Sequence, residues 1–457
     1  MLPLSQLIKS SVNIITLYLI VIFSGVFLFR LAHLGPYDTK RILFLVLVFI
    51  SSLACLLIRS IYIPRLSQFS GWIMMGLCSL ALIACVKSAS LFWSVVDIGQ
   101  QGLLILLFIF TLTLVREIPL KKSLRQLFYG VSLLSLSYFV LLMPRLWFAI
   151  NSGYGFDEKI TAINFSHPRF FNQLQVFIVP FLLTPLLITN RINTKAIITI
   201  LLSIHFFILL LASARGAILF LLVGFGLMFC LLHRSISFRI LQCALLASLI
   251  AWLSHQGLLL LLVDDTITQQ PVGISVSHTS GRFFYWQQLI TDWLQSPFFG
   301  SGPMSYAWQS SIHFGAHPHN ATLQLLFEYG GVFCFLLALL IVRWTIVYTG
   351  YFYSIESKQD QAMQAMLVAA LINGLVLAQF SGVLVMPFAQ LFFVLCLALL
   401  IAQLPLMPIK KTRFCFLLSL MFLVLIILAK PTQPSTTEKR HPRIWQDGAL
   451  TNQIKID

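Results

Sequence analysis

Long apolar runs joined by short polar turns set the pattern of this chain, and one polar stretch breaks it. A membrane-spanning helix needs roughly 20 predominantly apolar residues. Thirteen runs approach that length, at about 12–32, 42–58, 70–86, 92–114, 126–150, 171–189, 196–213, 215–232, 239–263, 320–346, 363–383, 386–403 and 414–429. They predict an all-α polytopic membrane protein with about 12–13 transmembrane helices and one large external loop carrying short helices. The expected organisation is a multi-spanning domain over 1–430, including the loop 264–319, and a short polar tail over 431–457.

The exceptional stretch runs from Asp264 to Gly331. It holds Ser280-Gly281-Arg282, the turn Gly300-Ser301-Gly302-Pro303, three histidines within seven positions (His313, His317 and His319), Asn320 and Glu328-Tyr329-Gly330-Gly331. Long insertions between packed elements are functional or disordered. Trp286, Trp293 and Trp308, with two Gly/Pro turns and no charge run, argue for order. Within it Trp286, Leu289, Ile290, Trp293 and Leu294 recur at helical spacing, which predicts an amphipathic helix over Arg282–Gln295 suited to the membrane interface.

Composition agrees with a lipid-embedded chain: 59% of residues are hydrophobic and 10% charged, where a soluble domain carries about a quarter charged residues. The net charge of +16 does not point to nucleic acid, because the basic residues sit singly or in small groups between apolar runs. The eight cysteines all lie inside apolar runs without a CxxC, and read as small core residues. The first run is too long for the apolar part of a cleavable signal and stays as a helix. Segment 264–318 contains Arg282 and no other Lys or Arg, so it is assigned outside. Counting from it puts Lys121, Lys122 and Arg125 inside, with Arg191/Lys195, Arg234/Arg239 and Lys410/Lys411/Arg413. The tail, with Lys439, Arg440 and Arg443, then falls outside, where its charge fits badly.

The chemistry expected outside rests on arginine and histidine. Arg215 lies in the tight link Ala212-Ser213-Ala214-Arg215-Gly216, at the membrane boundary, on the same face as Arg169 and Arg282. A snorkelling Arg would suit such a helix end. Three converging guanidinium groups could instead bind a diphosphate bidentately. His319 opens the helix that closes the loop and is the candidate general base, a capping or core role being the alternative. His317 and His313 match no strong zinc spacing with it. No metal ligand and no cofactor is assigned. Asp264-Asp265 could hold a cation with a lipid diphosphate, or could simply stop helix 239–263. Glu328, nine positions after His319, would face the opposite side of a common helix, so it should not orient His319. Gly330-Gly331 predicts a kink or close helix contact.

On these residues the chain resembles the O-antigen ligase superfamily of bacterial inner-membrane proteins, which includes O-antigen ligases, O-linked oligosaccharyltransferases and O-antigen polymerases. The resemblance rests on the multi-spanning layout, Ser213-Ala214-Arg215-Gly216, Gly281-Arg282…Trp286, the large loop and His319-Asn320 followed by Gly330. Asn164-Phe165-Ser166-His167-Pro168-Arg169-Phe170-Phe171-Asn172-Gln173 also looks like the family's first periplasmic motif. Where family ligases are expected to carry a second glycine, this chain has Phe333, with Gly331 instead.

The resemblance implies transfer of a glycan from undecaprenyl diphosphate to an acceptor hydroxyl on the periplasmic side. His319 would be the catalytic base, and Arg215, Arg282, Arg169, Asn320 and His317 would bind substrate. An O-antigen ligase acting on lipid A–core is the first expectation. An oligosaccharyltransferase acting on a pilin or other protein, or a polymerase, is the alternative within the enzyme class. A lipid-linked sugar transporter would instead need a polar path at the bilayer midplane, often with an inverted repeat. No repeat is visible, and the polar density lies outside.

Overall fold

The computed structural model describes residues 13–28, 35–58, 60–152, 157–262, 282–308, 317–429 and 443–445. His313, Asp264 and Asp265, with the Ser280-Gly281 lead-in, lie outside the described residues.

The apolar runs fold as helices because a backbone in hydrocarbon must satisfy its own polar groups. In chain order the helices are α1 (Ile14–Phe23), α2 (Pro36–Leu56), α3 (Gln68–Lys87), α4 (Leu91–Val115), α5 (Leu120–Asn151), α6 (Pro168–Leu182) and α7 (Thr184–Ile188). They continue as α8 (Ile192–Leu211), α9 (Arg215–Leu231), α10 (Arg234–Leu262), α11 (Arg282–Trp293), α12 (Ala321–Tyr353), α13 (Lys358–Leu377), α14 (Pro387–Ile401) and α15 (Thr412–Leu428). Among the described residues, nine segments are long and apolar enough to cross a membrane, and Ile14–Phe27, Arg215–Leu231, Pro387–Ile401 and Thr412–Leu428 are shorter apolar helices. The all-α polytopic class read from the sequence is the one observed.

Three boundaries differ from the sequence reading for physical reasons. The run 171–189 is two helices that part at Leu183, because Pro185 in the first turn of the second lacks the N–H that a continuous ladder would send to the Phe181 carbonyl. The run 363–383 stops at Leu377, and 378–386 is an apolar but irregular turn. The run 320–346 extends to Tyr353 and is interrupted at Gly330.

Burial sorts the helices. The Pro168–Ile188 segment is the most enclosed, 89% buried over its most apolar window, whereas Gln68–Lys87 and Ala321–Tyr353 are each 28% buried and lie against each other at the periphery. Most of their exposed side chains, such as Trp72, Leu82, Phe335 and Ile346, are apolar, which is the surface lipid requires. At one end of the bundle the turn after α2 and the turn before α15 pair as a two-stranded antiparallel ribbon, β1 (Ile61–Pro64) with β2 (Leu406–Ile409). The Arg116 guanidinium lies over the Tyr62 ring there, at 3.3 Å.

At the other end the long loop packs onto the helix starts: the Ser94 hydroxyl donates to the Pro303 carbonyl at 2.8 Å. The tail segment Arg443-Ile444-Trp445 sits at that same end, with the Tyr37 hydroxyl donating to the Arg443 carbonyl at 2.8 Å. Tail and loop therefore share a face. A topology reporter active only outside should give matching activity when fused after Ser311 or after Asp457, and be silent after Lys122 or Lys411. Opposite activities at Ser311 and Asp457 would contradict the shared face.

Candidate functional site

The site is built around a broken helix. In α12 Gly330 takes φ 83° and ψ 171°, which interrupts the hydrogen-bond ladder. The groups released by the break are taken up by the loop. Gly331 and Val332 donate their N–H groups to the carbonyls of Pro297 and Phe298, at 2.7 and 3.3 Å. The carbonyls of Phe327 and Glu328 accept from Ser301 and Gly302, both at 2.9 Å. The exchange pairs these four backbone groups, as an apolar setting requires. Gly300 (φ 70°) and Gly302 (φ 101°) supply the left-handed conformations that let the loop approach so closely.

The break turns the first nine residues of α12, Ala321–Tyr329, into a separate half-helix. Its N-cap is Asn320, whose Oδ1 accepts from the Leu323 N–H at 2.9 Å. His319 therefore lies just outside the helix, with φ 55°, not within it. The helical-spacing argument that set Glu328 opposite His319 assumed one continuous helix, and the structure replaces it. Glu328 is fully buried and bound to Arg443.

His319 and His317 pack edge to face with ring centroids 4.2 Å apart, and His317 Nδ1 accepts from the His319 N–H at 3.3 Å. His317 is buried, its ring so close to Gly382 that a Cβ there would meet Cε1 at 2.8 Å. Burial, then the charges of Arg443 and Arg282, push the His317 pKa down to about 3. His319 is held well below the ordinary histidine range by burial first, then by His317, Arg282, Arg169 and His167. Both rings are thus neutral at physiological pH, and a neutral imidazole can accept a proton.

The same interactions report what converges. Arg282, Arg169 and His167 are all close enough for their charge to act on His319. Arg282 opens α11, donates from Nη1 to the Phe380 carbonyl at 2.8 Å, and among the described residues its buried Nε has no acceptor. Burial and the neighbouring Arg169 lower its pKa. A guanidinium edge left unpaired beside a second arginine is a place for an anion. Arg169, exposed in the first turn of α6, follows His167, whose ring caps that helix by accepting from the Arg169 N–H at 3.2 Å. At the last residue of the Asn164–Gln173 motif, the Gln173 amide donates to the Ser381 hydroxyl at 2.8 Å and ties α6 to the irregular 378–386 turn.

Arg215 is exposed at the first residue of α9, after Ser213 in a left-handed turn (φ 48°). Its helix reaches the cluster through Phe220, which stacks on Phe380 at 5.4 Å, the residue whose carbonyl holds Arg282. Arg215 is thus at the same end of the bundle but is joined to His319 only at second hand. α11 supports the histidines directly: Trp286 Nε1 donates to the Pro318 carbonyl at 2.8 Å. Leu289 buries against Tyr306 and Phe327, while Phe283, Phe284 and Ile290 stay exposed as a lipid-interface face would be.

Sequence reasoning missed two parts of this arrangement. The 378–386 turn was hidden because Phe380, Val383, Leu384 and Val385 continue an apolar run. Arg443 was hidden because polar tails are ordinarily solvated.

Residues 198–339 match a family model described as O-antigen ligase. The matched span takes in Arg215, Arg282, His317, His319 and the Gly330 break, and leaves Arg169 and Arg443 outside it. No curated protein matches the chain. The family match supports membership of the O-antigen ligase superfamily, whose members are glycosyltransferase-like membrane enzymes.

Proposed function

From membership of the O-antigen ligase superfamily as premise, we propose that this protein transfers O-antigen or a related glycan from undecaprenyl diphosphate to an acceptor hydroxyl, at the periplasmic face of a bacterial inner membrane. The acceptor we assign is lipid A–core. The observation that carries the reading is the grouping of Arg282 and Arg169 about a neutral His319, at the end of the bundle where the long loop packs.

The chemistry follows from those groups. His319 takes the proton from the acceptor hydroxyl as its oxygen attacks the anomeric carbon. The bond from that carbon to the diphosphate oxygen breaks, and the electron pair leaves with the lipid diphosphate. General-base help of this kind contributes about 10²–10⁴-fold. Guanidinium groups aimed at the leaving oxygens stabilise the charge that develops there, and a water-poor site strengthens them. Arg169 and Arg282 are assigned to the diphosphate, with Arg215 at the approach along α9. His317 and Asn320 flank His319, although the Asn320 side chain is already engaged as a helix cap. A lipid-linked donor also accounts for a site at the membrane boundary, since the polyprenyl chain stays in hydrocarbon.

Glycan profiling of a deletion strain tests the assignment. Loss of all capped lipopolysaccharide, with lipid-linked polymer intact, is the expected result. Capping by single repeats would make the protein a polymerase. Normal lipopolysaccharide with an unglycosylated pilin or other protein would make it an oligosaccharyltransferase and overturn the acceptor.

A further inference from the structure

The tail segment Arg443-Ile444-Trp445 is buried in the bundle, its residues 4%, 2% and 1% exposed. Its backbone is bound on both sides. The Ile444 carbonyl accepts from Arg41 Nε at 3.0 Å, and Arg41 itself donates to Gln390 Oε1 and the Val385 carbonyl, both at 2.8 Å. Trp445 Nε1 donates to the Ile426 carbonyl at 3.2 Å.

The Arg443 side chain then bridges two helices. Nη1 and Nη2 donate to Glu328 Oε1 and Oε2 at 2.5 and 2.9 Å, a bidentate pair, and Nη2 lies 2.8 Å from Asp97 Oδ2 on α4. The Tyr329 hydroxyl donates to the same Asp97 oxygen at 3.3 Å. Glu328 and Tyr329 are the last two residues before the Gly330 break. They belong to the half-helix that follows His319.

That placement has a mechanical meaning. Across Gly330 the half-helix has lost the ladder that would fix it to the rest of α12. On its loop side the 297–302 backbone holds it. Toward the bundle, Arg443 holds it through Glu328 and anchors it to α4 through Asp97. The guanidinium fork suits this task because it binds one carboxylate with two parallel bonds and still reaches a second. A solvated tail has no need of such partners.

We propose that Arg443 is a positioning residue of the transfer site: it locks the Ala321–Tyr329 half-helix against α4, and so sets where His319 stands relative to the arginines. The proposal rests on the reading of His319 as the base. Arg443 does not touch substrate, and its effect falls on turnover.

The test uses the full-length protein in nanodiscs with an undecaprenyl-diphosphate-linked glycan as donor. Arg443→Ala leaves two carboxylates buried without a counter-charge, which alone could unfold the bundle. The deciding variant therefore neutralises all three, as Arg443→Met with Asp97→Asn and Glu328→Gln. We expect it to keep a melting temperature near wild type and a donor KM within about twofold, while kcat falls about 10- to 100-fold through misplacement of the base. Amide exchange over 321–329 should rise while that of α14 stays unchanged. Arg443→Lys, which keeps charge without the fork, should restore the stability that Arg443→Ala loses and only part of kcat. Wild-type kcat with wild-type exchange, in either the folded triple variant or folded Arg443→Lys, overturns the proposal. The exchange result does not depend on catalysis. A fully active His319→Ala protein would therefore refute the base reading separately.

Discussion

Replacing His319 with alanine should leave a folded protein that still holds its lipid-linked donor and transfers almost nothing. The loss expected is about 10²–10⁴-fold in initial rate, the typical contribution of a positioned general base. Donor affinity should survive because the diphosphate is assigned to arginines that this change leaves intact. Arg282→Ala should behave differently and weaken donor binding together with turnover, since a diphosphate contact acts in both ground and transition state. Arg282→Lys should recover only part, keeping the charge but losing the fork that now leaves Nε open.

The pH profile gives a second check on His319. Burial and the cations around His319 disfavour its charged form, so protonation is deferred to lower pH than for an ordinary histidine near 6.5. In the free enzyme, kcat/KM should therefore hold as pH falls through 6.5 and decline only well below it. A stable His319→Ala protein working at near wild-type rate would remove the base assignment.

Gly330→Ala should be the most damaging single-methyl change to the fold. At φ 83° and ψ 171° the backbone is in a region that is essentially glycine-only, and forcing another residue there costs about 1–3 kcal/mol. The added Cβ would also collide with the Phe298 carbonyl oxygen and stand 2.6 Å from Gly300 N. Both are backbone atoms of the tight turn that follows α11 and cannot swing away, so overpacking adds about 1–3 kcal/mol more. Set against a native stability of about 5–15 kcal/mol, that is a large share. Gly331→Ala is the matched control: its nearest neighbours would be the Pro297 carbonyl oxygen at 3.1 Å and Trp293 at 3.8 Å, with no left-handed φ to maintain. Melting temperatures in detergent decide the matter. A Gly330→Ala protein melting with the wild type would show that the break is not held as described.

Lipid made most of this fold legible. A bilayer forces long apolar runs into helices, so each of the thirteen runs contains a helix, and errors collected where an apolar run was not wholly helical. Residues 378–383 lack the conformation of a span, and their one turn signal, Ser381-Gly382, is masked by the apolar residues that follow it from Val383 to Met386. Arg282 and His319 could be found from sequence because a lone cation in a long external loop, and a histidine at a helix start, are costly or unusual placements. Glu328 and Asp97 looked like isolated acids because their common partner lies far away in a stretch of ordinary polar composition. Asn320 was readable as a polar neighbour of the base, but its capping role depends on where the helix begins, and a one-residue shift decides it.

The β1–β2 ribbon has a consequence for how the molecule is made. Ile61–Pro64 emerges early in synthesis, and its partner Leu406–Ile409 is added only after the twelve intervening helices α3–α14. At about 5–20 residues per second the first strand waits tens of seconds with its edge unpaired. Two devices make that wait safe. The strand is four residues long, and it ends in Pro64, which offers no N–H for a stray partner to capture. The bundle end opposite the site is thus tied off late in assembly by a strand kept too short to pair with anything else in the meantime.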